Sequence, residues 1–245
     1  MNFPTTKLNA LFETSAPLEG IVSLWGDFGV GKTTFTLQTA LNTAMRGNKV
    51  IYIYSKPNLP SEKIGRILQI GPSDDSSDIL DNIIFIQTTG FDDLNTIVFN
   101  LEFLVLSNLK EKNSMLKLII VDSLTDLYRL DLDREKKSKN ISLNSQLNQI
   151  MANLFFINET YSIEVLIVNE ISRKNQDGQT VEVQSGGKVM DYWVLYSIKL
   201  ERSDKINERK IVLTKHPENL TLEFTADLAA SGFSKERNKK FKNWR

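Results

Sequence analysis

Between an apolar stretch at 21–25 and a helix-forming stretch from 32 onward stands the octapeptide Gly26-Asp27-Phe28-Gly29-Val30-Gly31-Lys32-Thr33. No other feature constrains the chain so strongly. The spacing GxxxxGK[ST] between a strand and a helix demands a turn whose glycines let successive N–H groups point into one concavity. The following helix directs its positive end at the same place, so the nest suits a phosphate group. Lys32 can reach the outer phosphates of a nucleotide, and the Thr33 hydroxyl can ligate magnesium. Residues 26 to 33, together with Thr34 at the start of the helix, are the candidate nucleotide-binding residues.

A strand–turn–helix unit implies a parallel sheet, and the rest of the chain supplies it. Short β-branched and aromatic runs at 21–25, 49–54, 82–87, 116–122 and 164–169 alternate with helical patterns at 32–46, 61–68, 92–109 and 145–161. Strands separated by helices read as βαβ units. After 169 the pattern changes to three successive strands at 195–202, 210–215 and 220–224, joined by turn-rich segments. The expected fold is α/β, with a mostly parallel central sheet flanked by helices and an antiparallel C-terminal extension. A chain of 245 residues without a linker or repeat fits one such domain, placed at 1–231, with a flexible basic tail at 232–245. Three polar stretches, at 71–81, 131–140 and 171–188, read as exposed connections.

The second candidate element is the apolar strand Leu118-Ile119-Ile120-Val121 ending in Asp122. It delivers a carboxylate to the C-terminal edge of the sheet, where open α/β sheets bind ligands and where an acid can hold magnesium. Composition agrees. The chain has no cysteine and one histidine, His216, which excludes disulfides, thiolate metal sites and multi-histidine zinc sites. Any metal is held mainly by oxygen, with Thr33 and Asp122 the candidate ligands. No apolar run is long enough to span a membrane, and residues 1–10 lack a signal pattern, which favours a cytoplasmic protein. The formal net charge is zero, but the last fourteen residues carry six basic side chains against one acidic. Phe233, Phe241 and Trp244 interleave with those cations, an arrangement suited to nucleic acid or to a partner protein.

Longer stretches carry a resemblance. Val121-Asp122-Ser123-Leu124-Thr125-Asp126-Leu127-Tyr128-Arg129 resembles the VDS-x-T-x-LYR segment of the RecA/RadA recombinase family. Thr6-Lys7-Leu8-Asn9-Ala10-Leu11-Phe12 resembles the lead-in before its first strand. Val165 to Glu170 resembles the strand that normally ends in Asn-Gln, Gly186-Gly187 followed by Asp191-Tyr192-Trp193 resembles the GG…HW stretch, and Lys215-His216 resembles a late Lys-His pair. From about Thr5 to Gly232 the pattern is most similar to the short, RadB-like archaeal paralogues. The resemblance implies a RecA-like P-loop NTPase core, ATP and Mg²⁺ as cofactors, and a role in homologous recombination and repair. It implies single-stranded DNA and a RadA-type recombinase or other recombination proteins as partners. A KaiC-like or other RecA-fold regulatory ATPase without a DNA role is the alternative. Oligomeric state is not legible.

Two departures from the family pattern bear on catalysis. Tyr52-Ile53-Tyr54-Ser55-Lys56 matches the family's Y-I-D-T-E, so Lys56 stands where a glutamate orients the attacking water. A protonated lysine has no acceptor for a proton, although it could pair with the γ-phosphate; a solvated lysine before a proline loop is the other reading. Glu170 replaces the glutamine that senses the γ-phosphate, and could act as a substitute base or repel phosphate. Weak or absent hydrolysis is expected. DNA-contact candidates are Arg173, Lys174 and Lys188 on the 171–188 loop, and Lys239, Lys240 and Lys242 on the tail.

Overall fold

The computed structural model describes residues 1–13, 19–68, 77–109, 115–133, 135–176 and 178–238. In chain order the elements are α1 (Thr6–Glu13), β1 (Ile21–Gly26), α2 (Lys32–Ala44), β2 (Lys49–Tyr54), α3 (Ser61–Leu68), α4 (Ser77–Leu80), β3 (Ile83–Gln87), α5 (Phe91–Phe99) and α6 (Leu101–Leu109). Then follow β4 (Leu116–Asp122), α7 (Leu124–Asp131), α8 (Lys137–Tyr161), β5 (Glu164–Gln176), β6 (Gln179–Gln184), α9 (Gly187–Trp193), β7 (Val194–Arg202), β8 (Glu208–Lys215), β9 (Leu222–Ala229) and β10 (Gly232–Asn238).

The strands lie in the order β10-β9-β8-β7-β1-β5-β4-β2-β3, with β6 paired to β5 alone. From β7 to β3 every neighbour is parallel; β8, β9 and β10 add antiparallel strands on the other side. The expected α/β architecture with an antiparallel C-terminal extension is the one found.

Central strands are apolar on both faces because both faces are covered. Along β2, Val50 and Tyr52 join the core under α1 and α2, while Ile51 and Ile53 join the core under α5 to α9. β4 alternates likewise, with Leu118 and Ile120 on the first face and Ile119 and Val121 on the second. Period-two alternation between two buried faces gives an unbroken apolar run, which is why these strands match their expected limits. The C-terminal ends of β1, β4 and β5 therefore emerge side by side: Gly26 is in register with Glu170, and Tyr54 with Asp122.

Expectations for three charged or polar stretches change. Residues 232–238 are not tail but β10, paired antiparallel to β9. The ring of Phe233 is buried and packs edge-on against Phe35 at 5.4 Å, and Gln38 bonds both the N–H and the carbonyl of Phe233. Arg237 pairs with Glu208 and Asp227, and the Glu236 carboxylate accepts from the N–H of Thr6 and the N–H of Lys7 at the start of α1. The polar stretch 171–188 is a β-hairpin, in which β5 continues to Gln176 and returns as β6. Its Asp-Gly turn signal at 177–178 and the positive φ of 79° at Gly178 explain the tight reversal. The charged stretch 131–140 is ordered at its end, because α8 begins at Lys137 and Asn140 bonds the N–H and carbonyl of Asp133.

Candidate nucleotide-binding site

The octapeptide leaves β1 at Gly26 and enters α2 at Lys32. Two of its glycines are compelled by space as well as by φ. A Cβ on Gly26 would meet the Leu200 carbonyl oxygen at 2.2 Å, and one on Gly31, at φ 105°, would meet Leu228 at 2.8 Å and Phe233 at 3.3 Å. The floor of the loop thus rests on β7, β9 and β10. Two arginines hold it from outside: Arg202 donates to the Phe28 carbonyl at 2.9 Å and Arg209 to the Val30 carbonyl at 3.0 Å. These two bonds hold the loop backbone at Phe28 and Val30. Burial, and then the neighbouring Arg202 charge, hold the Arg209 guanidinium below its usual pKa.

Inside the loop, Lys32 is buried and donates to the carbonyls of Gly26 (2.8 Å) and Asp27 (3.0 Å) and to the Glu170 carboxylate (3.1 Å). Glu170 is itself fixed by its N–H to Thr125 Oγ1 and by its carbonyl, which accepts from Ser185 N. Asp122 is buried at the end of β4. Its Oδ2 accepts from the Tyr52 hydroxyl at 2.8 Å and from Thr36 Oγ1 at 3.3 Å. Burial, reinforced by the Asp122 charge, raises the Tyr52 pKa well above its ordinary value, so the phenol stays a donor. The Asp122–Ser123 peptide bond is cis.

These groups open into one cavity of about 610 Å³. Its lining includes Gly29, Gly31, Lys32, Thr33 and Thr34 of the loop, Asp122, Ser123, Asp126, Arg129 and Glu170, the cations Lys56, Lys63 and Arg66, and Leu228, Ala229 and Ala230. The size matches a small-molecule ligand pocket. The nest, a buried lysine at its centre, and Thr33 beside a buried carboxylate fit a nucleotide phosphate chain with magnesium. No group of three or more acidic, histidine or cysteine side chains placed to hold a metal occurs among the described residues. An ion held by Thr33 and Asp122 would complete its shell with phosphate and water oxygens, as magnesium commonly does.

The structure brings together Gly26 to Thr34, Lys56, Asp122 and Glu170. Phe28 is exposed at the rim and Val30 is buried beneath the loop. Lys56 is close to Asp122 because strand ends are stitched: Ser55 N donates to the Asp122 carbonyl, and Ser123 N to Ser55 Oγ. The DNA-contact candidates are elsewhere. Arg173 and Lys174 are exposed on the β5–β6 hairpin, where Arg173 faces Glu182 at 3.6 Å, and Lys188 is exposed on α9. Lys239, Lys240 and Lys242 lie outside the described residues. Lys215 and His216 act locally, Lys215 on the Asp191 carbonyl and His216 on Tyr196 and Glu218 N.

Tyr52, Lys63, Arg129, Arg202 and Arg209 were not legible as site residues. Tyr52 carries a partial signal, a hydroxyl on a buried strand two residues before Tyr54, the register partner of Asp122. The two loop-bracing arginines come from strands some 170 residues away, and nothing local marks them.

A family model described as Rad51 matches residues 4–234. The protein named DNA repair and recombination protein RadB from Methanobrevibacter smithii is 30% identical over 197 residues, covering 80% of this chain and 79% of that protein. The RadB of Methanocaldococcus jannaschii is 31% identical over 196 residues, covering 80% of this chain and 84% of that protein. A RadB of Methanococcus maripaludis is 27% identical over 209 residues, covering 85% and 88%.

Proposed function

Because the chain belongs to the Rad51 family, as a RadB-like paralogue of the RecA/RadA recombinases, we propose that it is an ATP–Mg²⁺-binding accessory protein of DNA repair and recombination. In this reading it contacts single-stranded DNA and recombinase-type partners, and hydrolyses ATP weakly or not at all. The observation that carries it is the make-up of one cavity: the phosphate-loop residues Gly29 and Gly31 to Thr34 line it together with Asp122 and with Lys56, which stands where the family pattern has a catalytic carboxylate.

The residues divide the work. The loop N–H groups and Lys32 bind the phosphate chain, while Thr33 and Asp122 hold magnesium, with Asp122 aimed by Tyr52 and Thr36. Bound magnesium would neutralise phosphate charge. Lys56, as an ammonium, has no lone pair with which to align or deprotonate a water. Glu170 is paired with Lys32, so it is not a free base while that ion pair holds. Nucleotide then acts as a ligand that shifts a binding equilibrium, through its different affinity for two states. Glu170 is the residue where β5 passes into the hairpin bearing Arg173 and Lys174, so an event at Lys32 can reach those cations through the Lys32–Glu170 ion pair and the β5 backbone.

The test is single-stranded DNA binding with and without ATP–Mg²⁺, across a salt series, for wild type, Lys32→Ala and a chain ending at Asn238. Nucleotide-dependent binding in wild type, lost in Lys32→Ala and weakened by salt, is expected. Absence of DNA binding in every nucleotide state would contradict the DNA role and favour a regulatory ATPase without one.

A further inference from the structure

The lining of the cavity has a feature that phosphate-loop binding does not use. Lys56 leaves the end of β2 and Lys63 projects from the first turn of α3, and both line the cavity that contains Lys32, Thr33 and Asp122. Among the described residues neither ammonium has an ion-pair partner. The other cations of the cavity are engaged: Lys32 by Glu170, Arg129 by the Ile171 carbonyl at 3.0 Å, and Arg66 by Glu62 at 3.2 Å.

Both lysines spring from fixed backbone. Gln87 Nε2 donates to the carbonyls of Lys56 and Pro57, at 3.0 and 2.8 Å. Ile64, next to Lys63, is buried in the core and anchors α3. Lys63 is half-buried; its ammonium is held below the ordinary value by burial first and by the Lys56 charge second, and Asp122 opposes them. Lys56 is exposed and Lys63 half-buried at the same cavity, and an anion bound beside both relieves the repulsion between their charges.

On the reading that this site takes ATP–Mg²⁺, the anion has an identity. The loop takes the inner phosphates, Lys32 reaches the outer ones, and magnesium belongs between Thr33 and Asp122. The terminal phosphate of a nucleoside triphosphate is the group with oxygens left for Lys56 and Lys63, which line the same cavity. We propose that Lys56 and Lys63 form a two-lysine clamp on the γ-phosphate, which makes the site selective for triphosphate over diphosphate and ties α3 to the state of the nucleotide. The lysine in the place of the catalytic glutamate is then a ligand-binding residue, and Lys63 is its partner.

The experiment is equilibrium titration of the full chain with ATP–Mg²⁺ and ADP–Mg²⁺, for wild type, Lys56→Met, Lys63→Met, the double variant and Lys63→Arg. A melting curve for each variant confirms folding. A charge-assisted contact leads to an expected loss of about 10- to 100-fold in ATP affinity per methionine variant, with ADP affinity changed less than about twofold. Lys63→Arg keeps the preference for ATP. Hydrogen exchange of α3 slows with ATP and not with ADP in wild type, and loses that difference in the double variant. Wild type that binds ATP while the double variant keeps the same ATP-to-ADP preference overturns the clamp alone. Wild type that binds neither nucleotide overturns the ATP reading and the clamp with it.

Discussion

Replacing Phe233 by alanine tests whether the last strand belongs to the nucleotide-binding core. Phe233 is 3% exposed, lies edge-on to Phe35 of α2, and sits 3.3 Å from where a Cβ on Gly31 would be. It therefore packs beneath the phosphate loop itself. Truncating a buried phenylalanine to alanine costs about 3–5 kcal/mol, from lost transfer energy and the cavity left behind. In a chain of this size each kcal/mol lowers the melting temperature by about 2–4 °C, so the expected drop is about 6–20 °C. Calorimetry or circular dichroism reads it directly. A chain ending at Asn238 should melt with wild type, because β10 is intact. One ending at Ser231 should lose at least as much as Phe233→Ala, since it also loses the β9–β10 ladder, the Gln38 bonds and the Glu236 cap on α1. A Phe233→Ala melting point within about 1 °C of wild type would refute the assignment of β10 to the core.

Other substitutions probe the cavity. Tyr52→Phe removes the donor that aims Asp122 and should cost about 1.5–3 kcal/mol at neutral pH, measured by denaturant unfolding. Because the folded phenol is raised above its ordinary value of 10.0, its contribution is complete below that pH and is lost as pH rises above it. Wild-type stability should therefore fall more steeply than that of Tyr52→Phe in alkaline buffer, and parallel curves would count against the buried Tyr52–Asp122 contact. Glu170→Gln frees Lys32 from its ion pair and should tighten ATP binding severalfold in a titration; unchanged or weaker binding would mean the pair does not compete with phosphate. Lys56→Glu should raise single-turnover hydrolysis while weakening ATP affinity, and an unchanged rate would show that Lys56 does not occupy the water-orienting position.

How much the sequence discloses depends on how local the determining physics is. The limits of β2 and β4 are legible because burial on both faces writes an uninterrupted apolar run, and the phosphate loop because its glycines answer to local φ and close backbone approach. The stretch 92–109 reads as one helix, yet Asn100 divides it into α5 and α6. The Asn100 side chain donates to the Thr96 carbonyl, competing with the helix backbone, and its effect is not separable from ordinary helix polarity. The hairpin at β5–β6 was masked by polar composition, although its Asp-Gly pair is a strong turn signal. β10 was masked by charge: Arg237 and Glu236 look solvated in sequence, and their partners at Glu208, Asp227 and α1 are supplied only by the fold. The same limit hid Lys63, since Lys56, Lys63 and Asp122 come to line one cavity only where β2, α3 and β4 meet in the fold.

The central claim is that ATP is a ligand here and not a fuel. ATP–Mg²⁺ mixed with excess protein, quenched over time and assayed for released phosphate, tests it most directly. Bound ATP recovered intact, with phosphate release no faster than in Lys32→Ala, is the result this account predicts. Conversion of the bound ATP at the rate of an active recombinase would contradict it.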